Sequence, residues 1–561
     1  MPAVFSRRSV LGLLAGTAMA LAGAGPAAAT SFAPVLHHAG AALPAGARNL
    51  GRVAPGAELR LTVALRPRHA AALAAYAAGV STAGSLDYHR YLTVAQFARR
   101  FGPSVRQLRL VRAGLRARGL RVGATSANRL SILVRGSARV AVDAFGTPIE
   151  RYVLRSGAGG YGPVGQPRLS GVAGALLQGV VGLDSIAPRA SVSFRHAMRG
   201  GRPVPSRGAW RGWRAGTLAR ARPGARTHAS GHLVPGGPRA CGAASREAAQ
   251  AWGYTPAQIA GHYGLSGFHA AGDGGAGVTV ALYELEPFAA SDIAAYQACM
   301  GTSTAIGVTP VDGGPGTGPG SGEAATDIED VIGLAPKARI QVYEGPLTGQ
   351  GAYDTYSAIV SQDAAQVVST SWGLCEPEVG RSQLLAEDTL FQEAAVQGQT
   401  ILAAAGDTGT DDCGNGQPAV DDPSSQPWVT SVGGTHLLAA GDTVWDDAAG
   451  ATGGGASSFW PRPVWQAAVP AQTAVTCGAA GVACREVPDI SADADPATGY
   501  TVFFRGSWQT VGGTSVAAPT IAALTALAEA APGCGGRRLG FLNPALYADA
   551  ADIQDVTSGA N

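Results

Sequence analysis

The sequence predicts an α/β protein: a parallel sheet with helices on both faces, preceded by a smaller α+β unit. Three observations carry this expectation. The C-terminal half contains apolar, β-rich runs, "GVTVALYEL" (277–285), "RIQVYEG" (339–345), "AQVVSTSWG" (365–373) and "QTILAAAGD" (399–407), interleaved with helical segments at 291–300, 323–334 and 382–396. Strands that are apolar along their whole length need cover on both faces, which the crossover helices of a parallel sheet supply. The N-terminal half instead follows a β-α-β-α-β order, which suits a small sheet with helices on one face. Charge divides the chain at the same place. Residues 30–240 hold 31 arginines against 5 acidic residues, a balance of +26, and residues 241–561 hold 9 basic against 34 acidic residues, a balance of −25.

The elements follow in order. Residues 1–29 pair Arg7 and Arg8 with an apolar stretch and end on Ala27-Ala28-Ala29, the pattern of an export signal, with a twin-arginine route suggested. Residues 57–67 ("AELRLTVALRP") alternate as a strand, 69–79, 93–101 and 105–118 carry helical spacing, and "RLSILVR" (129–135) reads as a strand. A helix over 139–145 and a strand over 149–154 complete a unit placed at 30–186. Residues 187–240 are Arg-, Gly- and Pro-rich without periodicity and read as an exposed, easily nicked linker. The second unit spans 241–561. With 46% apolar and 14% charged residues the chain is not disordered, and no repeat is evident. The basic half lacks the interleaved aromatics of a nucleic-acid groove. Its charge suggests instead that the two halves attract each other, more weakly as carboxylates protonate. Seven cysteines in an exported chain indicate disulfides; Cys477 with Cys484 and Cys375 with Cys413 are candidates, and Cys534 is the first suspect for the odd thiol.

The sharpest chemical signal is "VGGTSVAAPT" (511–520), which sets Ser515 at the start of an apolar helix. Backbone N–H groups and the helix dipole favour a developing oxyanion there, but a serine needs a base. One candidate set is Asp407, His436 and Ser515, in the chain order of subtilisin. His436 runs into "LLAAGD", the end of a strand, so it reads as a surface histidine. The other set lies in "GSGEAATDIEDVIGLAP" (320–336), where Glu323 and Asp327 share one helical face. Two carboxylates that close resist joint ionisation and tend to share a proton. Glu329 and Asp330 read as solvated face. In a parallel sheet the chemistry gathers beyond the strands' C-terminal ends, where Glu284, Trp372 and Asp407 fall.

These motifs resemble the sedolisin family of serine-carboxyl peptidases, of the kumamolisin type, in precursor form. E-x-x-x-D matches Glu323 and Asp327, G-T-S matches Gly513-Thr514-Ser515, and the block with Asp407 follows a buried strand as in the family. "VSTSWG", "PSSQPWVTSVGGT", "GGGASSFWPRPVWQ" and "VPDISADADPATGY" match family blocks in order, and "DYHRYLTVAQFARRFGPS" (87–104) resembles its activation-peptide signature. The resemblance implies a subtilisin-like sheet, a ferredoxin-like prodomain that aids folding and inhibits in cis, and a secreted, acid-acting endopeptidase cutting unfolded proteins or peptides. No nucleic-acid or membrane partner is implied, and a monomer is expected. It makes Glu323 the base for Ser515, Asp327 its orienting partner, Asp407 a protonated oxyanion donor, and Glu284 with Trp372 a supporting network. A base near ~4.3 stays partly ionised in acid, where a histidine near ~6.5 is charged and useless. The family also binds calcium through an aspartate and the next carbonyl, here Asp555 and Val556. Its remaining ligands come from a Gly-x-Gly-x-Asp loop further on. The sequence ends at Asn561, ahead of that loop, so an incomplete ligand set is expected.

Overall fold

Alternation over 57–67 becomes strand β2 (Glu58–Leu65), with Leu59 and Leu61 buried and Glu58 and Arg60 exposed. The computed structural model describes residues 47–153, 159–165, 167–190, 193–195, 237–318, 320–438, 441–477 and 481–561. The export signal at 1–29 and most of the expected linker lie outside the described residues. After β1 (Arg48–Arg52) and β2 come helices α1 (Ala70–Ser81), α2 (Val94–Arg100) and α3 (Val105–Arg116). Both α2 and α3 start with a capping box, Thr93 with Gln96 and Ser104 with Gln107, so each pair satisfies two otherwise orphaned backbone N–H groups. Strands β3 (Arg121–Thr125) and β4 (Ser131–Ser137), helix α4 (Ala138–Phe145), β5 (Ile149–Val153), β6 (Gly159–Pro163) and β7 (Leu177–Val181) follow. The antiparallel sheet runs β3-β4-β2-β7, the ferredoxin-like order expected.

The second unit is built on a sheet ordered β11-β12-β10-β13-β15-β17-β18: β10 (Thr279–Glu284), β11 (Ile306–Pro310), β12 (Arg339–Glu344), β13 (Val367–Thr370), β15 (Thr400–Ala404), β17 (Thr430–His436) and β18 (Thr443–Val444). From β11 to β17 all neighbours are parallel, and only β18 joins antiparallel. Helices α5 (Ala290–Met300), α6 (Glu323–Leu334), α7 (Gly349–Gln362), α8 (Arg381–Gln397) and α9 (Thr514–Ala530) pack around it. Helix α7 was not expected: glycines at 349 and 351 open "GQGAYDTYSAIVSQ", yet Ala352, Tyr353, Tyr356, Ile359 and Val360 share a face that is buried against the sheet. The run at 365–373 divides at Ser371 into β13 and β14 (Trp372–Cys375), and β14 leaves the sheet to pair with β16 (Asp421–Asp422).

Each unit has a core of its own, and a further hydrophobic cluster spans the two. Leu73, Tyr76, Phe97 and Phe101 of the first cluster with Tyr356, Leu390, Phe391 and Val396 on α7 and α8. Polar contacts across the seam are mostly neutral on the first unit's side. Thr62 donates to both oxygens of Asp354 (2.7 and 2.9 Å), Asn128 donates to Glu393 (2.7 Å), and Tyr91 donates to the Leu539 carbonyl (2.9 Å). Among the described residues the one ion pair crossing it is Arg189–Glu378 at 3.1 Å. The seam is therefore joined, among the described residues, by apolar burial and neutral donors more than by paired ions. Two short strands inside the expected linker also reach the second unit. β8 (Arg189–Ala190) pairs with β14, and β9 (Ser193–Arg195) pairs with β24 (Ser507–Gly512), itself paired with β23 (Tyr500–Phe504).

Disulfides join Cys241 to Cys299, Cys375 to Cys413 and Cys477 to Cys484; Cys534 is free and buried. Among the described residues no helix is long and apolar enough to cross a membrane.

Candidate active site

Three strands deliver side chains to one edge of the sheet. β10 ends on Glu284, β13 runs into Ser371 and Trp372, and Asp407 stands three residues beyond β15. Helix α6 opens with Glu323, one turn before Asp327, and packs along α9, whose second residue is Ser515. Glu323, Asp327, Ser515 and Glu284 are all fully enclosed. Buried polar groups need partners, which Asp327 finds in Ser371 and Glu284 in Trp372, while Glu323 and the Ser515 hydroxyl have none. Ser371 donates to Asp327 Oδ1 and Oδ2 (3.0 and 2.8 Å) and also reaches the Ser515 carbonyl (3.1 Å), tying the acidic helix to the serine helix. Trp372 Nε1 donates to Glu284 Oε2 at 2.9 Å. Glu284 and Glu323 are the carboxyl groups that neighbour Asp327.

The electrostatics follow from burial. Desolvation, then the charge of Asp327 and of Glu284, pushes Glu323 well above the ordinary carboxylate range, while the Ser515 hydroxyl pulls the other way by stabilising the ionised form. Desolvation also raises Asp327, to about 8, against the opposing pull of Ser371, Glu284 and Glu323. Three carboxyl groups thus share protons as a unit. Neither Ser515 Oγ nor either Glu323 oxygen makes a fully aligned hydrogen bond, which is common where substrate tightens the geometry. Asp407 accepts from Thr514 N–H and Thr514 Oγ1 through Oδ1, both at 2.8 Å, and its Oδ2 has no partner. Burial raises its carboxyl to about 7. In acid it is neutral and carries a donor of its own, held against Thr514, the residue before the serine.

Two sequence readings are corrected here. Glu329 and Asp330 are buried rather than solvated. Glu329 accepts from Phe503 N–H at 2.6 Å, and Asp330 accepts from Thr520 at 2.8 Å, so each meets a donor that α6 packs against. His436 is not a surface histidine: its side chain is 14% exposed and its Nδ1 lies 2.5 Å from Asp495 Oδ2, away from both Ser515 and Asp407 in bonding. Sequence reasoning missed Ser371, although a polar triplet, Ser369-Thr370-Ser371, closing an apolar strand was the available signal. The structure does not bring Asp555 and Val556 to this site. Asp555 is exposed, and among the described residues no group of three or more His, Cys, Asp or Glu converges to hold an ion. One carboxylate and one carbonyl fall short of the six to eight oxygens calcium takes, so these residues do not by themselves fit calcium.

Residues 45–186 match the family model for the pro-kumamolisin activation domain, and residues 300–538 match the subtilase family. Kumamolisin from Bacillus sp. (strain MN-32) is 37% identical over 327 residues, covering 55% of this chain and 57% of that protein. Sedolisin from Pseudomonas sp. (strain 101) is 29% identical over 543 residues, covering 91% of this chain and 83% of that one. A solved structure of Pseudomonas sedolisin, a serine-carboxyl proteinase complexed with two molecules of pseudo-iodotyrostatin, aligns with a TM-score of 0.44 at 28% identity, over 51% of this chain and 84% of that one. The chain thus spans a little over half the length of kumamolisin and most of that of sedolisin. It carries an activation domain of the pro-kumamolisin type ahead of a subtilase-type domain, and it is similar to kumamolisin and to sedolisin.

Proposed function

We propose that the chain is the zymogen of a secreted, acid-acting serine-carboxyl endopeptidase. Ser515 attacks the peptide carbonyl, Glu323 accepts its proton and returns it to the leaving amine, and Asp327 orients Glu323. Protonated Asp407 donates to the oxyanion, and Glu284 with Trp372 steadies the carboxyl cluster. The observation that carries this reading is the enclosure of Glu323, Asp327 and Ser515 together, with Ser371 bonded to both Asp327 and the Ser515 carbonyl. A pH–rate profile on unfolded protein tests it. A maximum on the acid side of pH 7, abolished by Ser515→Ala, is expected; a neutral optimum, or hydrolysis surviving Ser515→Ala, sinks it.

Residues 30–186 form the inhibitory prodomain in this reading, 187–240 the segment cut on activation, and 241–561 the peptidase, with 1–29 removed on export. Support comes from β9, which lies antiparallel on Thr510–Gly512, three residues before Ser515, where a substrate strand would lie. Calcium on Asp555 and Val556 enters no step.

The seam sets how acid acts. Asp354 is raised by desolvation and then by Asp312, and Glu393 by desolvation. The first unit meets both groups with neutral donors, Thr62 and Asn128, so activation depends on switching on the chemistry and cutting the linker rather than on breaking ion pairs there. Salt should then fail to mimic acid. At ~1 M NaCl, where charges are screened beyond about 3 Å, the full chain at neutral pH is expected to stay latent toward peptide substrate. Activity appearing along a salt titration would restore a charge latch.

A further inference from the structure

The loop that leads into α6 closes on a carboxylate with no part in the scheme above. Glu286 lies two residues beyond β10 and is 8% exposed. Its Oε1 accepts from the backbone N–H of Gly322 (2.9 Å) and Ala324 (3.2 Å), and its Oε2 accepts from that of Ser321. The helix supplies no cap of its own, because its N-cap residue is Gly322. The first N–H groups of a helix have no partner within it, and buried ones need one from elsewhere. Gly320 and Gly322 make the convergence possible: their φ angles of 66° and 116° are costly for residues with a Cβ. A Cβ on Gly320 would also lie 2.4 Å from the Pro287 carbonyl and 3.0 Å from Glu286 Cδ. "GSGE" (320–323) is thus a nest of N–H groups built around one anion.

We propose that Glu286 is a positioning residue for Glu323, capping α6 from outside the helix and fixing the residue that opens it, a role that rests on the reading of Glu323 as the base. Two of its three bonds go to Gly322 and Ala324, the residues on either side of Glu323, so the base cannot shift without breaking one. The titratable groups facing Glu323 are Asp327 on its own helix, Glu284 at the end of β10 and Glu286 itself, all of one sign. Glu286 therefore also helps keep a proton in the cluster, adding to the upward pull on Glu284, Glu323 and Asp327.

The test uses the full chain, activated in acid, with Glu286→Gln and Glu286→Ala. The glutamine is isosteric and neutral, so it should fold even where alanine does not. Glu286→Gln is expected to lower kcat about tenfold and alanine about 10²-fold, the scale of a misplaced catalytic group, with KM little changed. The acid limb of the pH–rate profile should move to lower pH by about half a unit, because a base relieved of a neighbouring anion ionises sooner. Amide hydrogen exchange at residues 321–324 should speed up in both variants. A kcat loss matched by lost folded protein, with the limb where it was, would reduce Glu286 to a structural cap and overturn the proposal; unchanged exchange in the glutamine variant would remove even the cap. If instead Ser515→Ala hydrolyses peptides like the parent, the reading of Glu323 fails, while the exchange result still reports on Glu286.

Discussion

Glu323→Gln is expected to lower kcat/KM by about 10⁴-fold at the optimum, about 5 kcal/mol of transition-state stabilisation, while His436→Ala leaves it nearly unchanged. Glutamine keeps the shape of the side chain and cannot take the Ser515 proton. Nothing nearby can replace it: of the groups facing Glu323, Asp327 is held by Ser371 through both oxygens, Glu284 by Trp372 and Glu286 by the backbone of 321–324, so none is free to turn to Ser515. Asp327→Asn should cost less than Glu323→Gln: burial raises Asp327 to about 8, and asparagine still donates toward Glu323 as a protonated Asp327 does. His436 pairs with Asp495 and holds a neighbouring segment in place. Steady-state kinetics on the three variants, with circular dichroism to establish folding, decide the matter. An active Glu323→Gln beside a dead His436→Ala would return the serine to a histidine-based mechanism.

The parts of the fold that were legible in the sequence are those where local pattern and tertiary demand agree. Helix α6 begins on Glu323 and ends on Leu334, the range that spacing gave. In the first unit β2, β4 and the helices fall where pattern put them, whereas β3 and β7, half of that sheet, were not read and β5 joins a separate sheet. Reading failed where the surroundings override pattern. A helix carrying Glu323, Asp327, Glu329 and Asp330 ordinarily turns an acidic face to water, yet all twelve residues of α6 are buried, because α5, α9 and β23 surround it and the Phe503 N–H and the Thr520 hydroxyl bond Glu329 and Asp330. The same holds for the site. Its titratable members were visible as motifs, whereas Ser371 and Glu286 act through contacts with distant backbone, at Ser515 in one case and at residues 321–324 in the other. No local spacing encodes such contacts. The charge division is a property of the whole surface, and among the described residues the seam is lined by Phe97, Phe101 and Phe391 more than by paired ions.

Asp407→Ala should lower kcat by about 10²–10³-fold, the usual loss for one oxyanion donor, and Asp407→Asn should recover most of it. The bonding pattern explains the ladder. Thr514 gives both its N–H and its hydroxyl to Oδ1, so an asparagine must keep its carbonyl oxygen there and turn its amide to the position of the unpartnered Oδ2. That amide donates at every pH. The wild-type carboxyl donates only while protonated, and burial carries it to about 7. Below that value it is neutral and stabilises the oxyanion; above it the group is an anion that repels one. Wild-type kcat/KM should therefore fall as pH rises through about 7, and the ratio of Asp407→Asn to wild type should climb over the same interval. Profiles from pH 3 to 9 on the three proteins measure this. Were asparagine as damaging as alanine, with the alkaline limb unmoved in both, Asp407 would be only a brace for Thr514, and the oxyanion would need another donor.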